Sequence, residues 1–183
     1  MYLIPAVIVF VELLKKITGS LEEKGISYMV SGSLALNVYS VPRMTYDIDL
    51  VIELHHESVE GFLQIFREGF YIDAETVREE IGRKGMFNAI DHQSGLKIDF
   101  IIRKDTEYRR LEFSRKIRKL IGGMPVWIVS PEDLIISKII WIQELQSEKQ
   151  MGDINRLLSL EDIDRGYIKD WCKKLALNTF GMI

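Results

Sequence analysis

A chain of 183 residues with 47% hydrophobic and 28% charged side chains is long and apolar enough to bury a real core, as one domain or one domain with a helical appendage. Its net charge of −3 excludes a protein that coats nucleic acid over its whole surface, while leaving room for a local basic groove. The single cysteine, Cys172, excludes an internal disulfide and fits a reducing cytoplasm, and the scattered His and Cys offer no zinc-ligand spacing.

The apolar start, Met1 to Val11, lacks a basic leader and a small-residue cleavage site and is too short to span a bilayer. Pro5 at a first turn, then Leu13, Leu14 and Ile17, predict a helix over 5–24 packed on the domain, stopped by Gly25. Strand 26–31 and helix 34–40 follow, and Val41-Pro42 breaks that helix because proline disfavours the helical region for its predecessor. A strand over 45–53 is followed by an amphipathic helix over 57–68 (Val59, Phe62, Leu63, Phe66), a short strand over 70–73 and a short helix over 75–82. Segments 86–91 and 96–102 read as a hairpin across His92-Gln93-Ser94-Gly95, and 118–121 with 124–129 as another across Gly122-Gly123.

Ser130-Pro131-Glu132-Asp133 opens a helix with proline at its first position and acid in its first turn. That helix, running to Leu145, is apolar nearly all round and therefore expected to be buried. Further helices are predicted over 149–158 and 162–177. The division is a core over 1–129 and a helical segment over 130–183 packed on it, in an α+β fold with a mixed sheet flanked by helices.

The chemistry gathers between Met29 and Ile52. Aspartate is a poor strand residue, so Asp47 and Asp49 in a run ending Leu-Val-Ile need a reason. Alternation puts both on one face with Cα atoms about 6.6 Å apart, within reach of one hard cation. Upstream, Gly32 permits close backbone approach, and Ser33 reads as an N-cap type residue opening a helix whose free amides favour a phosphate. In the strand Leu96–Ile102, Asp99 lies on the face away from Ile98 and Phe100, shared with Lys97 and Ile101.

This pattern resembles the nucleotidyltransferase superfamily to which DNA polymerase β belongs: Gly32-Ser33, then Asp47-Ile48-Asp49, then a third acid, Asp99, on a later strand. Arg43-x-Thr45-x-Asp47, Ser130-Pro131-Glu132-Asp133-Leu134, Lys138 and Asp153-Ile154 look most like the AbiEii-type, toxin-associated branch. Leu34 stands where small antitoxin-like members carry Arg. The resemblance spans roughly Ser27 to Leu158 and implies a Mg²⁺-dependent transfer of a nucleoside monophosphate from an NTP to a hydroxyl, releasing pyrophosphate. It further implies Asp47, Asp49 and Asp99 as catalytic, metal-holding residues for a pair of ions. Asp99 would also draw the proton from the attacking hydroxyl. Gly32, Ser33, Lys138 and Arg43 are implied at the nucleotide phosphates.

The acceptor expected from this resemblance is an RNA end such as a tRNA 3′ terminus, a protein side chain or a small molecule such as an aminoglycoside. A toxin–antitoxin or phage-defence setting, a cognate antitoxin partner, a cytoplasmic location and no membrane association complete the expectation. The alternative is a catalytically silent module that binds nucleotide or a partner chain, which three intact carboxylates disfavour; an assembly role is suggested only by the apolar first helix. Arg103–Lys119 is rich in base and reads either as a solvated face or as a groove beside the active site for a nucleic acid. Glu144, Ser147, Glu148 and Asp153 read as caps and surface pairs, Ser137 and Trp141 as packing, and His55-His56 as solvated.

Overall fold

The computed structural model describes residues 3–45 and 47–183, and the side chains from residue 8 onward; Met1, Tyr2 and Tyr46 of the apolar start and of the predicted 45–53 strand lie outside this set. Among the described residues seven strands form one mixed sheet. In chain order the elements are α1 (Leu3–Glu23), β1 (Tyr28–Val30), α2 (Gly32–Tyr39), β2 (Asp47–Ile52), α3 (Val59–Ile65), β3 (Phe70–Ile72), α4 (Ala74–Arg83), β4 (Met86–Asp91) and β5 (Lys97–Ile102). They continue with α5 (Glu107–Ser114), β6 (Ile117–Ile121), β7 (Met124–Ile128), α6 (Pro131–Ile142), α7 (Glu148–Leu158) and α8 (Arg165–Lys174).

The strand order is β3-β4-β5-β2-β1-β7-β6. The central pair, β2 and β5, is parallel, with Asp47 opposite Lys97, Asp49 opposite Asp99 and Ile52 opposite Ile102. Both strands alternate strictly enough to sort their chemistry. Ile48, Leu50 and Ile52 with Ile98, Phe100 and Ile102 are buried on one face, where Phe62, Phe66 and Phe87 pack edge-on or stacked around Phe100. The odd-numbered residues, carrying the acids, face the other way.

α1 buries Leu14, Ile17 and Leu21 against this core and ends where Gly25 adopts φ +66°. Gly122 and Gly123, both at positive φ, turn β6 into β7 as the sequence predicts. α3 is shorter than the predicted 57–68, because His56–Ser58 form a separate 3-10 turn in front of it and the chain leaves the helix at Phe66. α6 is capped by Ser130, whose side chain accepts from the Asp133 amide. Asp133 itself, fully buried, accepts bonds from Arg115 Nε (2.9 Å), Ser130 Oγ (2.7 Å) and the Tyr167 hydroxyl (2.7 Å), so one carboxylate ties α5, α6 and α8 together.

Two expectations about this region change. Trp141 is not packing: it is 61% exposed on a mostly buried helix, at a position that no other element covers among the described residues. Asp153 is not a surface residue: α7 packs on α6 and carries it inward, to 1% exposure. Ser137 does pack, bonded to the buried Glu112 and to Arg109 (2.6 Å).

Candidate active site

The site is built at the start of β2 and β5, over the entry to α2. Ser31, not Ser33, occupies the N-cap of α2; it lies in an extended conformation, and Gly32 and Ser33 are the first helical residues. Gly32 sits at φ +62°, and a Cβ added there would lie 1.8 Å from Asp49 Oδ2. The chain can turn from β1 into α2 under the Asp49 carboxylate only because no side chain is present at Gly32.

The Ser33 amide lies beside that carboxylate and favours its charged form. Burial raises the Asp49 pKa, and the charges of Asp99 and then Asp47 push it further up. The Ser33 amide and the charge of Lys138 oppose that shift without reversing it. Asp49 is thus a carboxylate in need of positive charge.

Lys97 supplies part of it. Its ammonium lies 2.8 Å from Asp99 Oδ2 and 3.9 Å from Asp47 Oδ1. The hydrogen bond to Asp99, with the surrounding acids, raises the Lys97 pKa and keeps it charged. Among the described residues no three His, Cys, Asp or Glu side chains are drawn close enough to make a ready-made metal site; the acids are arranged around an ammonium instead. The donor set still fits a hard divalent cation: oxygen donors on adjacent strands in matched register, one of them desolvated and repelled by its neighbours.

On the α2 side a second network converges. Arg43 reaches Asp153 with Nε (3.1 Å) and Nη2 (2.9 Å), and Nη2 also donates to Ser33 Oγ (2.6 Å). Lys138 Nζ donates to the same Asp153 Oδ2 (2.9 Å) and to Gln150 Oε1 (2.8 Å). Burial lowers the Lys138 pKa, while the bonds from Arg43 and Lys138 overcome burial and hold Asp153 below the usual carboxylate range. Arg43 is fixed by Asn37, which bonds both the amide (2.9 Å) and the carbonyl (2.7 Å) of residue 43. The structure therefore brings Ser33, Arg43 and Lys138 together through Asp153.

Lys97, Asp153 and Asn37 are the residues sequence reasoning did not assign to the site. For Lys97 the signal was present, since alternation places it on the face of Asp99. Asp153 entered only as part of the Asp153-Ile154 motif, with no role, because it acts across the packing of α7 on α6; Asn37 gave no signal.

Residues 10–170 match the family described as nucleotidyl transferase of unknown function (DUF2204). The chain belongs to this family. This nucleotidyl transferase is also similar in fold to solved structures. The antibiotic-resistance factor ANT(2″)-Ia superposes with a TM-score of 0.63 at 19% identity, over 92% of this chain and 95% of that one. A crystal structure of the same factor with adenylyl-2″-tobramycin gives 0.64 at 17%, over 92% and 99%. The lincosamide adenylyltransferase LnuA, bound to lincomycin, gives 0.56 at 13%, over 80% and 94%. A Thermotoga maritima protein described as a nucleotidyltransferase gives 0.53 at 16%, over 80% and 92%. At these identities the likeness is one of fold. No curated protein matches the sequence. No helix among the described residues is long and apolar enough to cross a membrane.

Proposed function

We propose that this nucleotidyl transferase moves a nucleoside monophosphate from an NTP to an acceptor hydroxyl, with Mg²⁺ held by Asp47, Asp49 and Asp99. The observation that carries this reading is the facing of Asp49 and Asp99 across β2 and β5, beside the helix start at Gly32-Ser33. Divalent ions bound there would neutralise charge on the attacking and leaving oxygens of an in-line displacement. The residues do the rest. Asp99, on the outermost of the three acid positions in sequence, accepts the proton of the acceptor hydroxyl. That oxygen bonds to the α-phosphorus, the α–β bridging bond breaks, and pyrophosphate leaves. Lys138 and Arg43, with Ser33, receive the β- and γ-phosphates.

The acid-lined side of the sheet suits an acceptor that brings a hydroxyl and positive charge, and the fold neighbours that modify antibiotics support a small-molecule acceptor of that kind. A toxin-associated setting with an RNA acceptor is the other outcome that the acceptor test distinguishes. Incubation of the protein with each labelled NTP, Mg²⁺ and separate pools of aminoglycosides, lincosamides and tRNA distinguishes them. Transfer of label to one pool by the wild type and not by Asp99→Asn supports the proposal. Absence of transfer in every pool, with NTP binding retained, would instead identify a nucleotide-binding module.

A further inference from the structure

The basic stretch does not adjoin the carboxylates. The parallel register that sets Asp49 opposite Asp99 runs to Ile52 and Ile102, and just beyond these strand ends the side chains of Glu53 and Arg103 pair at 2.7 Å. Four residues at roughly 3.3 Å each separate the two places by about 13 Å. There an open cleft of about 420 Å³ is lined by Glu53, Arg103, Arg110, Phe113, Lys116 and Trp127. In a chain of net charge −3, this lining sets three cations against one carboxylate.

Lys116 is the informative member. Its ammonium lies 3.7 Å from the Phe113 ring centroid and 5.8 Å from that of Trp127, and among the described residues no carboxylate comes within ion-pair distance of it. Burial pulls its pKa below the ordinary lysine value, with Glu53 opposing and Arg103 adding to the effect. A half-buried cation whose partners are ring faces is incompletely compensated, and an anion entering the cleft would complete it. Arg103 already has Glu53 and Asp105, whereas the Arg110 head, exposed at the rim, bonds a backbone carbonyl of Asp105 and no carboxylate. Aromatic walls and a volume inside the usual 300–1,000 Å³ range for small-ligand sites call for more than a bare ion.

We infer that this cleft is a second binding site, separate from the NTP site, for a phosphate monoester carrying a planar ring: a nucleoside monophosphate or the 5′-terminal nucleotide of a single strand. The phosphate meets Lys116 and Arg110, and the ring lies along the partly exposed Trp127, while Phe113 stays buried behind Lys116. The inference stands independently of the reaction proposed above.

The test is titration of the metal-free protein in EDTA with AMP, with a 5′-phosphorylated oligonucleotide and with inorganic phosphate, followed by calorimetry and tryptophan fluorescence. A charge-assisted hydrogen bond is worth ~1.5–3 kcal/mol, so Lys116→Gln should weaken AMP binding by roughly tenfold or more. Arg110→Gln, at an exposed position, should weaken it in the same direction. Trp127→Phe should remove the fluorescence change. Tighter binding of the oligonucleotide than of AMP, still dependent on Lys116, assigns the site to a nucleic-acid end; AMP alone assigns it to a free nucleotide. The inference is overturned if Lys116→Gln and Arg110→Gln both bind AMP normally, if neither AMP nor the oligonucleotide binds, or if inorganic phosphate binds as tightly as AMP.

Discussion

Gly32 and Asp49 occupy one space: the carboxylate lies where a Gly32 Cβ would be, 1.8 Å from its Oδ2. Gly32→Ala therefore carries the left-handed backbone cost of ~1–2 kcal/mol and must in addition displace the carboxylate. The variant should melt several degrees lower and lose nucleotide transfer. A normal melting temperature with normal transfer would show that the close approach of Gly32 and Asp49 is unnecessary.

The Lys97 ammonium stands between Asp99 and Asp47. Without it, the acids repel one another and need a cation from solution. Lys97→Gln should lower the metal-free melting temperature, and Mg²⁺ should raise it by more than in the wild type. Equal Mg²⁺ shifts in the two proteins would separate Lys97 from the acid cluster.

Asp49 gives a pH dependence whose sign is fixed by its raised pKa. The folded state binds this proton more tightly than the unfolded state does, so the stabilising effect is full below the unfolded pKa and is lost as pH rises through the folded one. At neutral pH ionised Asp49 works against folding. Asp49→Asn should then melt higher than the wild type at pH 7, by roughly 2–4 °C for each 1 kcal/mol relieved, and the gain should vanish in acid. The same shift moves the acid limb of activity to a higher pH than an ordinary carboxylate would give. A variant less stable at pH 7 would show instead that the favourable contacts of the ionised carboxylate outweigh its burial.

Asp153 holds two cations at once. Asp153→Asn leaves Arg43 and Lys138 facing each other without their shared anion, and breaking a buried pair in this way costs roughly 3–5 kcal/mol. Urea unfolding should show a loss of that order. High concentrations of pyrophosphate should restore part of it, if the released cations are free to bind phosphate. A loss below about 1 kcal/mol, roughly a tenth of ordinary domain stability, would mark the network as solvent-screened.

The residues proposed to carry the chemistry were legible along the chain because their signals are local. Alternation alone put Asp47 with Asp49, and Lys97 with Asp99, on shared faces, and Gly32-Ser33 announced a tight turn. The hairpins, the cap at Ser130 and the stop at Gly25 followed from short-range backbone preferences. What only the tertiary structure decided is who stands opposite whom. Strand register places Asp49 beside Asp99 and, four residues on, moves the basic cleft to the far end of the sheet rather than beside the acids. Packing of α7 on α6 turns Asp153 from a helix surface residue into the anion shared by Arg43 and Lys138. Local preference acts over a few residues, whereas register and helix packing are set by burying apolar faces distant in sequence, and no single segment encodes that choice.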